Sequence, residues 1–305
     1  MRAPAHVTRR RTIAAGLVAA AAFAVAACAP EPSAPAPTTT PTGTTRTVSN
    51  ATLEWTISKE ANNAAFAPGQ VNYWSAGKTD STQATFVATN GNATVLKKNA
   101  AGTYVPIGSE PAVSWANKNK DGAGNTVTAA NAFFLGQKIR YTNGTGTVDT
   151  ATGAATIQWT GTFSVNFYGI YTPFWIINPK LTVDPGGAGR LTATVGGVAS
   201  DMDDPSIKIN VPDTPNIVLA EFANVYSGGN VNTGWTSGTK YLGTVIAAPS
   251  GQSPQVGGTF AGSWPQSFVN FHGITGTASY WYSSGGAVDA NKPQDPVTVG
   301  YTLNP

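Results

Sequence analysis

The side chains in this chain that could ligate a metal, stack on a ligand or pass a proton are few, and they gather in two stretches. Tyr168 and Tyr171 flank the glycine of Val165-Asn166-Phe167-Tyr168-Gly169-Ile170-Tyr171. His272 closes Val269-Asn270-Phe271-His272-Gly273, and Tyr280, Trp281 and Tyr282 follow it shortly. Tyrosine and histidine can both ligate a metal ion, and clustered aromatic rings suit a flat apolar ligand or the face of a sugar. The same residues also have plain structural uses. Strand aromatics pack cores, and a histidine at a helix end bonds exposed carbonyls.

Catalytic chemistry lacks its parts. The histidines are His6 and His272, and Cys28 is the single cysteine. That leaves no nucleophile with a paired base and no His/Glu spacing of a zinc hydrolase. Gly262-Ser263-Trp264 does not complete a nucleophile elbow. Asp201-Met202-Asp203-Asp204-Pro205 offers oxygen ligands to calcium but has neither the longer loop nor the distal glutamate, so it reads as an acidic turn and no metal site is assigned. The expectation is a protein that is not an enzyme.

The elements that must position these residues are strands. Phe163, Val165 and Phe167 alternate with Ser164, Asn166 and Tyr168, the period of a strand with one buried face. Phe174-Trp175-Ile176-Ile177 leads through Asn178-Pro179 into Leu181 and Val183, where the proline marks an edge, a bulge or a strand end. Further strand-like strings occupy residues 52–57, 84–88, 104–107, 137–141, 190–195, 207–211, 217–224, 241–246 and 297–301. Turn signals recur between and within them, among them Asn90-Gly91, Asn143-Gly144 and Gly186-Gly187. This pattern predicts an all-β fold, an antiparallel two-sheet β-sandwich with two short helices. One helix is expected over residues 58–66. The other is expected from a Ser263 cap to the Gly273 stop, with Trp264, Phe268 and Phe271 on one face. Residues 269–274 echo 165–170 in five of six positions, but six residues are too few to establish a repeated unit.

The chain opens with Arg2, Arg9, Arg10 and Arg11 before an apolar run over residues 13–27, the layout of an export signal and too short to span a membrane. Thr8-Arg9-Arg10-Arg11-Thr12-Ile13 partly resembles a twin-arginine signal. Val25-Ala26-Ala27-Cys28 resembles a bacterial lipobox, which makes Cys28 the lipidation site of a lipoprotein held on the outer side of the cell membrane. The expected organisation is a signal peptide over residues 1–27, a lipid-anchored Pro/Thr-rich tether over residues 28–50 and one β domain over residues 51–305. Removing the signal leaves fourteen basic and fifteen acidic residues, a net charge of −1. The isoelectric point near 8.9 therefore describes a discarded segment and gives no case for nucleic-acid binding.

Five segments together resemble the HtaA domain of actinobacterial surface haem-uptake proteins. They are Leu53-Glu54-Trp55-Thr56-Ile57, Val165-Asn166-Phe167-Tyr168-Gly169, Asn178-Pro179-Lys180-Leu181, Val218-Leu219-Ala220 and Asp295-Pro296-Val297-Thr298, in the order found in that family. The resemblance implies a β-rich surface domain with haem as its cofactor. It also exposes two departures. The register of the family's haem-ligating tyrosine falls on Ala64, and that of its histidine on Ile170. Tyr168, Tyr171, His272, Tyr280, Trp281 and Tyr282 remain as candidate ligand-binding residues. The expected function is a lipid-anchored surface binding protein for haem or a related hydrophobic small molecule, with weakened ligation. The alternative is a structural or adhesive envelope protein that binds a glycan or a protein partner.

Overall fold

A computed structural model describes residues 44–65, 70–107, 114–169, 171–200, 204 and 206–304. The signal peptide, Cys28 and most of the tether lie outside the described residues. Every strand pairing is antiparallel, and the strands are β1 (Thr45–Trp55), β2 (Tyr73–Ala76), β3 (Thr89–Asn90), β4 (Ala93–Lys98), β5 (Tyr104–Pro106), β6 (Gln137–Asp149), β7 (Ala155–Gln158), β8 (Thr162–Phe167), β9 (Thr172–Val183), β10 (Gly189–Ser200), β11 (Lys208–Phe222), β12 (Gly229–Asn230) and β13 (Gly234–Ser237), then helix α1 (Gln266–Ile274) and strand β14 (Val297–Gly300). The all-β expectation holds.

The strands form one continuous hydrogen-bonded network, in which long strands bend and pass from one layer of the sandwich to the other. β6 pairs with β4 through residues 137–141 and with β7 through residues 145–148. β9 pairs with β8 through residues 172–177 and with β7 through residues 180–183. The bends are bulges, at the β1 register shifts between Val48 and Leu53 and at Asn143 and Asn178, both with positive φ. Proline is tolerated in the centrally placed β9 because it follows the Asn178 bulge. The core fills the space between layers, where Tyr141 of β6 and Trp74 of β2 meet Phe163 of β8 at centroid distances of 6.2 and 5.8 Å.

Several sequence expectations are corrected. β1 begins at Thr45, inside the segment read as tether, because its alternating threonines pair with the far half of β6 (Thr45 with Asp149, Thr47 with Thr147). Residues 241–246 form no strand beyond an isolated bridge at Leu242, and residues 83–85 form a single 3-10 turn. The helix expected over residues 58–66 is only the 3-10 turn Glu60–Asn62. α1 forms, but Ser263 does not cap it. Ser263 bridges to Tyr282, and Pro265 stands at the cap position. The two echoing segments are a strand and a helix, so they are not a structural repeat.

Candidate functional site

The turn between β8 and β9 is held in an uncommon backbone state. Tyr168 and Gly169 both have positive φ, 58° and 69°, which glycine adopts freely and tyrosine does not. Hydrogen bonds fix the state. The Tyr168 N–H donates to Asn72 Oδ1 at 3.0 Å, the Gly169 N–H to the Asn166 carbonyl at 3.1 Å, and the Thr172 hydroxyl to the Phe167 carbonyl at 3.0 Å. Asn72 is itself anchored. Its amide donates to the Glu60 carbonyl at 2.8 Å, and its N–H to the Asn63 carbonyl at 3.0 Å.

The turn therefore rests on the segment that follows β1. Ala64 bridges Val71, the Ala65 N–H donates to the Gln70 carbonyl at 2.9 Å, and a side chain built on Gly169 would overlap the Gln70 amide. Ala64 and the Tyr168-Gly169 turn are thus neighbours in space across Gln70. Ile170 lies outside the described residues.

The candidate aromatics sort into groups. Tyr168, Phe167 and Tyr280 pack edge to face, with centroids 5.7 Å (Phe167 to Tyr168), 5.0 Å (Phe167 to Tyr280) and 5.4 Å (Tyr168 to Tyr280) apart. Trp281 continues the cluster inward, 5.4 Å from Phe167 and 4.7 Å from His272. Tyr171 is half-buried at the turn, where its carbonyl accepts from the Ser200 hydroxyl. Tyr282 stands apart from these ring contacts, with its hydroxyl donating to the Ser253 carbonyl at 2.5 Å.

His272 is not at an exposed helix end. It is 1% exposed and walled by Phe174, Phe268, Phe271 and Trp281 at 4.6–5.2 Å. Nδ1 lies 3.0 Å from the Thr277 hydroxyl, and Nε2 has no hydrogen-bond partner. Burial pushes the imidazole well below its ordinary pKa, so it is neutral. The His272 carbonyl accepts from the Thr277 N–H and the Thr275 hydroxyl, and the imidazole itself meets hydroxyls and not helix carbonyls, so it does not play the capping role expected from sequence.

The residues the sequence reading passed over are charged. Glu60, in the 3-10 turn beneath the cluster, is 4% exposed, and its Oε2 has no partner. Burial pushes its carboxyl up to about 7, against the opposing pull of Lys292 and a hydrogen bond from Asn63. Lys292 is also buried, and it donates to the carbonyls of Ser279 and Tyr282 and the hydroxyl of Ser284 while pairing with Asp289 at 2.8 Å. Burial, helped by the nearby Glu60 charge, pushes the Tyr280 hydroxyl up to about 12. No spacing in the sequence marks either charge as interior, because each is buried by loops that meet only in three dimensions. Among the described residues no group of three or more histidine, cysteine or acidic side chains is arranged to hold a metal ion. Of the acidic run, Asp204 is described, and its carboxylate accepts from the Ser206 N–H and hydroxyl at 3.0 and 2.6 Å. Asp201, Met202, Asp203 and Pro205 lie outside the described residues.

No family model matches the chain, and no curated protein matches it. Among solved structures the chain is similar to the C-terminal domain of HtaA from Corynebacterium glutamicum, with 15% sequence identity, a TM-score of 0.38, and coverage of 85% of this chain and 99% of that chain. A likeness this faint assigns neither a family nor a ligand.

Proposed function

We propose that this chain is an exported, lipid-anchored, non-enzymatic binding module whose ligand site is the tyrosine turn between β8 and β9, and that it takes haem or a related flat hydrophobic ligand without strong axial ligation. The observation that carries the reading is the strained, hydrogen-bonded Tyr168-Gly169 turn seated against the Ala64–Val71 segment, with Tyr280 packed on Tyr168 at 5.4 Å. Backbone strain of this kind costs roughly 1–3 kcal/mol and persists where the surroundings over-determine it.

The chemistry offered there is apolar area with phenol hydroxyls. Ferric haem favours tyrosinate over phenol, and a hydroxyl with a pKa near 12, as at Tyr280, supplies almost no tyrosinate at neutral pH. His272 is enclosed by Phe174, Phe268, Phe271 and Trp281, which keeps it from acting as an axial ligand. Binding then rests on burial of the porphyrin face. Titrating the protein with hemin and with iron-free protoporphyrin tests this. The expected result is weak, saturable binding of both with similar affinity, no tyrosinate charge-transfer band, and loss on Tyr168→Ala. Tight, iron-dependent binding that survives Tyr168→Phe and Tyr171→Phe would overturn the assignment of the site.

A further inference from the structure

A recess of about 360 Å³ opens beside the N-terminal half of β6, within the size range of small-ligand sites. Its floor is rigid. Asn62 and Gln137 are buried, and each spends its amide on the backbone: Asn62 on Thr56, Ser58 and Gln137, and Gln137 on Trp74 and Asn72. The free groups are on the walls. Lys59 and Lys98 are exposed and have no carboxylate partner among the described residues. Lys98 instead lies 5.4 Å from the Tyr104 ring, whereas Lys138, 4.2 Å from the same ring, is paired with Glu54 at 2.5 Å. The half-buried Phe134 supplies apolar surface. Asp295 Oδ2 accepts from the Thr56 hydroxyl at 2.7 Å, which fixes the carboxylate with its other oxygen available.

Two unneutralised ammonium groups, one oriented carboxylate acceptor and an aromatic side chain around one concavity match a ligand with an anionic group, a hydroxyl donor and a C–H face. We propose that this recess is a second binding site, specific for an acidic sugar: the sugar carboxylate lies against Lys59 and Lys98, a ring hydroxyl donates to Asp295, and the C–H face packs on Phe134. Lysines act as point charges toward such an anion, and the fixed acceptor gives the selectivity for a hydroxylated ring. The site stands on this recess alone and does not depend on the tyrosine turn.

Amide proton–nitrogen NMR spectra of the full-length protein titrated with sodium glucuronate test it. Saturable shifts are expected at Lys98, Gly136 and Gln137, with glucose at the same concentration producing little change. The double variant Lys59→Gln, Lys98→Gln should weaken glucuronate binding roughly tenfold or more, since hydrogen bonds to charged groups contribute about 1.5–3 kcal/mol each. Lys180→Gln, in a different polar recess lined by Gln158 and Asn178, should leave binding unchanged. The double variant should also leave the hemin titration unchanged, which separates this site from the tyrosine turn. Absence of saturation, equal displacement by sodium sulfate, or an affinity unaffected by the double variant would each overturn the proposal.

Discussion

Glu60 ties the stability of the fold to pH in a direction opposite to that of His272. The folded carboxyl holds its proton up to about pH 7, whereas an ordinary glutamate releases it near 4.5. Below the lower value both states are protonated and the group contributes nothing. As pH rises through the interval the unfolded chain ionises and the folded one does not, so stability is lost, by about 3 kcal/mol once both pKa values are passed. His272, with its pKa depressed, contributes stability above its ordinary value that is lost as pH falls. Glu60→Gln should therefore gain on the parent steadily between pH 4.5 and 7. Thermal melting at intervals across that range checks this, and a difference independent of pH would sink it. Glu60 and Lys292 were illegible in the sequence for the same reason that they matter, since polar residues in short connecting segments read as surface until the segments are seen to cover one another. The aromatic half of the site was legible, because Tyr168 and Tyr280 announce themselves by residue type.

At the level of strands, the Asn-Gly signals divide instructively. Asn90-Gly91 is a turn between β3 and β4, as read, and Gly186-Gly187 turns β9 into β10 with both φ values positive. Asn143-Gly144 is instead a bulge inside the unbroken β6, where Asn143 takes φ 54° and Gly144 lets the Trp159 indole lie on the strand. A local signal for positive φ cannot distinguish a reversal from a kink, because what decides is whether the next apolar residues find partners on the same neighbours. The close approach makes a prediction. A Cβ on Gly144 would overlap Trp159 Nε1, and that indole is fully buried and bonded to the Ala51 carbonyl at 2.9 Å, so it has nowhere to move. Gly144→Ala should cost on the order of 2–4 kcal/mol, as overpacking plus a lost buried hydrogen bond. Gly286→Ala, whose new methyl would meet only Ser284 Oγ at 3.8 Å, should change stability by less than about 0.5 kcal/mol in the same denaturant titration.

For the molecule as a whole, fold class was readable because alternation and glycine turns are short-range properties, while the passage of β6 and β9 between layers was not, because it is a property of pairing. The proline between Phe174-Trp175-Ile176-Ile177 and Leu181-Val183 reads as an edge, a bulge or a strand end, and it follows a bulge inside one strand that serves two partners. The cellular address rests on residues outside the described ones. Cys28→Ala should release the protein from the membrane fraction or stall its trimming, and unchanged attachment with normal processing would exclude the lipoprotein reading. No helix among the described residues is long and apolar enough to cross a membrane. The position of β1 adds a mechanical consequence. From Thr45 the chain runs directly into a strand that pairs with β6 along its length and with β14 over residues 52–55. Tension applied through the preceding residues would run along that strand and load its hydrogen bonds to β6 in shear together rather than one after another. Forced unfolding is governed by the rate of crossing that barrier. If the chain is held from its N-terminal side, as the lipoprotein reading expects, this geometry favours resistance to drag beyond what equilibrium stability alone implies.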